Sequence, residues 1–225
     1  MATNDSTRTL KKRKSIKDGN KGRKKQSPID ITNEITDQDG MLKASKLQFS
    51  YTIGDLKTIE VTGQGFSCKT DKGCTSDLIA SHLPGVYRLW EFHAHWGTEK
   101  DCGSEHLING KGFSAEEDSV DNEDLSPIID GINNSLGGLS RVDLEPNFDP
   151  RKLLPVKQSY YTYEGSLTTQ PFHECVIWTV LKHPSTISFK QLELLRRIVP
   201  KNCRFQHPLN ERRVKRSFKF IKKSR

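Results

Sequence analysis

The stretch from Val86 to Trp96 constrains the fold more than any other part of this chain. Its even positions read Val86, Arg88, Trp90, Phe92, Ala94 and Trp96, mostly apolar, and its odd positions read Tyr87, Leu89, Glu91, His93 and His95. That period of two predicts a strand with one face in the core. His93 and His95 then project side by side from the other face. Two imidazoles at i and i+2 can reach one ion, and neutral imidazole is a good zinc ligand. Glu91 shares their face and could accept the second ring N–H of a ligating histidine. The competing reading is two polar residues lining a cleft.

Shorter patterns surround this strand. Leu47, Phe49, Tyr51 and Ile53 alternate with polar residues, and Ile59-Glu60-Val61 opens a further strand with bends or bulges at Gly63 and Gly65. Glu174 to Leu181 reads as another strand. Ser126-Pro127 reads as a cap followed by proline at the first helical position and puts Ile128, Ile129 and Ile132 on one face. Ser188 and Gln191 form a capping-box pattern ahead of Leu192, Leu195 and Val199. Strands outnumber helices, which predicts a β-rich α+β domain with short helices at its periphery. The acidic run 114–125, SAEEDSVDNEDL, reads as a solvated loop; it lacks the DxDxDG pattern and the twelfth-position glutamate of a calcium loop.

The charge of +8 is unevenly placed. Residues 1–25 hold ten basic and two acidic side chains and almost nothing apolar, so they read as a basic disordered arm. Residues 211–225 hold eight basic side chains against Glu211, with 221–225 as a basic tail, and the body between is acidic. A protein-wide basic face for nucleic acid is therefore not indicated, although the tails could bind it weakly and nonspecifically. Lys11-Lys12-Arg13-Lys14 and Arg23-Lys24-Lys25 resemble a bipartite nuclear-import signal, with a solvated tail as the alternative. The five cysteines are scattered without CxxC spacing, which favours reduced thiols and a cytoplasmic or nuclear setting. Apolar runs are far shorter than the roughly 20 residues that span a bilayer, so no membrane partner is expected.

A series of longer motifs narrows the reading. Gln26-Ser27-Pro28-Ile29-Asp30-Ile31, Glu91-Phe92-His93-Ala94-His95-Trp96-Gly97 and Gly103-Ser104-Glu105-His106 occur in that order. Asn147-Phe148-Asp149-Pro150, Leu153-Leu154-Pro155 and Tyr163-Glu164-Gly165-Ser166-Leu167-Thr168-Thr169 follow, then Glu174-Cys175-Val176-Ile177-Trp178 and Pro208-Leu209-Asn210 with Arg212. The series resembles the α-class carbonic anhydrases over residues 26–220. The resemblance implies a large, twisted, mostly antiparallel sheet and a zinc cleft for the reversible hydration of CO₂ to bicarbonate. By the same resemblance, His93 and His95 match two zinc ligands. Thr168 matches the hydroxyl that orients zinc-bound hydroxide, and Glu105 the carboxylate receiving the Thr168 proton. Thr169 matches a substrate contact, and Leu167, Val176 and Trp178 match the apolar wall around CO₂.

The chain departs from the pattern where the third zinc histidine belongs. Phe113-Ser114-Ala115-Glu116-Glu117-Asp118 stands there, so Glu116 matches the carboxylate behind that ligand and Asp118 falls on the ligand position. No histidine occurs between His106 and His173. Asp can ligate zinc, so a His₂Asp site with residual activity is one expectation. After Val120 the pattern resumes only at Leu125-Ser126-Pro127, which implies a deletion near 120–125 that removes a central strand. Gln64 falls where a proton-shuttling histidine would stand, and glutamine does not titrate near neutral pH. His173 is the remaining imidazole near the cleft rim, with an exposed loop histidine as the plainer reading. The sequence thus points to a shortened, carbonic-anhydrase-related chain with impaired or lost catalysis. Its alternatives are a weakly active zinc lyase and a non-enzymatic scaffold that binds a protein partner.

Overall fold

The computed structural model describes residues 22–43, 47–99, 102–113, 116–118, 120–136, 138 and 140–220, with the backbone alone at 116–118. Most of the basic arm, and the tail 221–225, lie outside the described residues. In chain order the first strands are β1 (Asp30–Ile31), β2 (Thr36–Gln38), β3 (Gln48–Ser50), β4 (Leu56–Thr62), β5 (Gly65–Thr70), β6 (Asp77–Ile79), β7 (Tyr87–Arg88) and β8 (Glu91–His93). Then come β9 (Leu107–Ile108), β10 (Glu116–Asp118), helix α1 (Ser126–Leu136), β11 (Arg141–Asp143), β12 (Tyr160–Gly165), β13 (Val176–Leu181), β14 (Thr186–Ser188), helix α2 (Phe189–Ile198) and β15 (Val214–Arg216).

The sequence predicts a bend or bulge at Gly63 and Gly65; the chain in fact turns back at Gly63-Gln64, joining β4 and β5 in a hairpin. Gly65 re-enters the ladder at φ +148, where a Cβ would stand 2.9 Å from the Asn202 Nδ2. β5 pairs with β8 and β4 with β11, giving the antiparallel order β11-β4-β5-β8. A second four-stranded sheet runs β13-β12-β15-β2, and β3-β6-β7 form a third. β1 with β9, and β10 with β14, make two parallel pairs.

This arrangement corrects the expectation of one large sheet with helices at its periphery. The described strands divide among five sheets, and the helices build the core. Ile128 and Ile132 of α1 and Leu192 and Leu195 of α2 pack with Ile59, Cys68, Trp96 and Phe148. The capping box places the start of α2 at Ser188, whereas α1 begins at Ser126 itself, which is helical and not a cap, so Pro127 is its second residue. The Ser188 Oγ accepts from the Gln191 N–H at 3.1 Å, and the Gln191 Oε1 accepts from the Ser188 N–H at 3.1 Å. A second cluster, Ile29, Ile31, Tyr161, Tyr163 and Val214, lies on the β12 sheet.

The strand expected over 86–96 is also broken. β7 joins β6, whereas β8 joins β5, so the chain changes sheet at Leu89-Trp90. The change interrupts the alternation: Val86 is 60% and Trp90 77% exposed, while Trp96 is fully buried. Only the second half, 91–96, keeps the predicted division into a polar and a packed face. Among the described residues no helix is long and apolar enough to cross a membrane.

Candidate metal centre

β8 and the extended residues after it carry the two histidines. Because β8 pairs with β5 through Phe92↔Cys68 and His93↔Ser67, its apolar side chains reach the first core and His93 faces a cleft. The His93 and His95 ring centroids are 5.0 Å apart with planes at 82°. His93 Nδ1 lies 3.2 Å from Glu91 Oε1. His95 Nδ1 bonds the Asn202 carbonyl oxygen at 3.1 Å and lies 3.5 Å from Glu105 Oε1. A carbonyl can only accept, so the His95 proton sits on Nδ1 and its Nε2 keeps a lone pair. Burial lowers the His95 pKa, against the opposing pull of the Glu105 carboxylate and the Asn202 carbonyl. The ring is therefore neutral at neutral pH, the state that ligates metals.

A cleft of about 550 Å³ brings His93 and His95 together with Thr168, Thr169, Glu91 and Gln64. Glu105 is buried beside His95, where its Oε1 accepts from the Arg204 N–H at 3.1 Å. No hydrogen bond joins Thr168 to Glu105 among the described residues. Leu167, Val176 and Trp178 are not among the residues lining this cleft. Trp178 turns away from it, donating its indole N–H to the Ser166 carbonyl at 3.1 Å and packing beside Tyr163. His173 is exposed and does not line the cleft either. The side chains of Asp118 and Glu116 lie outside the described residues. Their strand, β10, pairs with β14 and not with β8, with Asp118 opposite Ser188.

The eukaryotic-type carbonic anhydrase family model matches residues 13–120 and 116–218. Among curated relatives, rabbit (Oryctolagus cuniculus) carbonic anhydrase 1 is 34% identical over 235 residues, covering 86% of this chain and 99% of the relative. Human (Homo sapiens) carbonic anhydrase 3 is 32% identical over 238 residues, covering 86% of this chain and 90% of the relative. The chain belongs to the α-carbonic anhydrase family.

The family's zinc is held by three protein ligands while a fourth position stays open. Two imidazoles are suitably prepared, each with Nδ1 turned to an oxygen acceptor and Nε2 without a protein partner among the described residues. The nearby carboxylates, Glu91 and Glu105, stand against the Nδ1 atoms, the side of each ring that orients a ligand and does not bind the ion. Among the described residues no group of three His, Cys, Asp or Glu side chains could hold a metal. The described donor set therefore does not fit the family's zinc centre.

Sequence reasoning missed Asn202, which organises this cleft. Its Oδ1 accepts from the Trp96 N–H at 2.8 Å, its Nδ2 donates to the Ala94 and Gln64 carbonyls at 3.1 and 3.2 Å, and its carbonyl holds His95. The stretch Lys201-Asn202-Cys203 has no periodicity and no motif, so nothing local marked it.

Proposed function

We propose that this chain is a carbonic-anhydrase-related protein that does not hydrate CO₂ above background and serves as a non-enzymatic scaffold. One observation carries the reading: β10, which holds the third-ligand position Asp118, pairs with β14 and leaves β8 without it. Two imidazoles alone hold zinc weakly and supply only part of the open three-ligand site that activates water. Thr168, without a bond to Glu105, is also not set to orient a nucleophile. A deletion near 120–125 is supported by the family match, which comes in two segments that meet at 116–120. It is supported too by the rabbit relative, since 235 aligned positions draw on 86% of a 225-residue chain and leave a few dozen without a counterpart.

The test is zinc per chain after dialysis, with CO₂ hydration followed by stopped flow and His93→Ala as control. The expected result is folded protein with far less than one zinc per chain and no hydration above buffer. Near-stoichiometric zinc, lost in both His93→Ala and Asp118→Ala and accompanied by turnover, would overturn the proposal in favour of a His₂Asp lyase.

A further inference from the structure

β13 ends its sheet. It pairs with β12 over six unbroken residue pairs, Val176↔Gly165 to Leu181↔Tyr160, and among the described residues no strand pairs with its other side. Just past this ladder the Lys182 N–H donates to the Ser159 carbonyl at 2.8 Å. Hydrogen-bonded and non-bonded pairs alternate along an antiparallel ladder, so Val176, Trp178 and Val180 turn their backbone groups toward β12. Ile177, Thr179 and Leu181 turn theirs outward. The strand VIWTVL is half-buried throughout and carries no charge, proline, glycine or bulge, the features that normally protect an edge. Another edge strand, β8, is by contrast three residues long and carries Glu91 and His93.

We propose that β13 is a dimer interface, at which two copies of this chain pair antiparallel about a two-fold axis passing through Trp178. Outward-facing groups must meet outward-facing groups, so only odd positions can oppose odd positions. An axis at Trp178 sets Ile177 opposite Thr179 of the partner subunit and Cys175 opposite Leu181 of the partner subunit. It also sets Glu174 opposite Lys182 of the partner subunit at both ends. The two charged groups share the Trp178 face: Glu174 Oε1 accepts from Gln26 Nε2 at 2.9 Å, and Lys182 Nζ lies 4.6 Å from the Phe218 ring centroid on the second core. The neighbouring registers lose this match, because an axis at Ile177 puts Glu174 opposite Val180 and an axis at Thr179 puts it opposite Pro184. The isologous contact closes, and it joins two four-stranded sheets into one of eight.

Sedimentation velocity of the full chain, from sub-micromolar to hundred-micromolar concentration, tests this. The wild-type chain is expected to pass from monomer to dimer and stop there. Thr179→Pro deletes an outward N–H and none in the ladder with β12, so it should fold, by circular dichroism, and stay monomeric. Lys182→Glu sets like charges opposite each other at both ends and should weaken the dimer on the order of tenfold. A chain monomeric throughout, a dimer unchanged by a folded Thr179→Pro, or open-ended larger assemblies would each overturn the proposal. If Thr179→Pro does not fold, Lys182→Glu decides: an unchanged dimer refutes the interface, and a weakened one supports it.

Discussion

Acid should destabilise this protein through His106 before its carboxylates begin to titrate. The His106 Nε2 lies 2.6 Å from the Tyr163 hydroxyl, which in turn donates to the Ser27 Oγ at 2.9 Å. Tyr163 has only one proton to give, so the histidine must donate from Nε2, which leaves Nδ1 as the site a second proton would take. The ring also lies edge-on to Trp178, with centroids 4.6 Å apart. Burial pushes the His106 pKa down from 6.5 to about 3. The unfolded chain therefore binds this proton as pH falls below 6.5, while the folded chain refuses it until far lower. The stability contribution is fully present above pH 6.5 and is lost progressively as pH falls toward 3. Linkage puts the loss at about 1.4 kcal/mol by pH 5.5 and about 2.7 kcal/mol by pH 4.5. Urea unfolding at pH 7.0, 5.5 and 4.5, on the wild type and His106→Gln, measures it. The variant removes the proton site while keeping a donor, so its stability should fall much less over the same interval. Parallel pH slopes for the two proteins would refute the assignment.

Two further outcomes follow from the core and the cleft. A Cβ on Gly131 would lie 2.3 Å from the Ile59 Cδ1 and 3.5 Å from the Val142 Cγ2, so Gly131→Ala should cost about 1–3 kcal/mol by urea denaturation. Asn202→Ala strips the acceptor from the Trp96 N–H, which should cost about 1–3 kcal/mol and speed hydrogen exchange at that amide.

Helix starts were legible in the sequence because each is set by a few adjacent residues. The Ser188–Gln191 box holds α2 where its cap places it, and Ser126-Pro127 marks the start of α1 to within one residue. A bend at Gly63 to Gly65 was legible for the same local reason, but not that it closes the β4–β5 hairpin. The strand over 86–96 was not, because alternation records which side chains prefer burial and not which sheet supplies the partner. With β7 on β6 and β8 on β5, Trp90 falls at the changeover and is left exposed. In the candidate site, His93, His95 and Glu91 were legible from their spacing alone, since i and i+2 in a strand must share a face. Asn202 was hidden because its role comes from a contact with Trp96, more than a hundred residues earlier.

The acidic sequence at 116–118 bears on where its strand can pair. A strand lying beside β8 in the middle of a sheet would be covered on both faces, and Glu116-Glu117-Asp118 would then carry three consecutive carboxylates into that position. Burying an unpaired carboxylate costs far more than a strand's hydrogen bonds return. β10 forms instead against β14, in a register that sets Asp118 opposite Ser188, the residue that caps α2. A helix N-terminus carries partial positive charge, so an acidic strand is better tolerated there than among apolar neighbours. With β10 on β14, β8 has no strand among the described residues on the side away from β5. The acidic run thus pairs away from the strand that carries the two histidines.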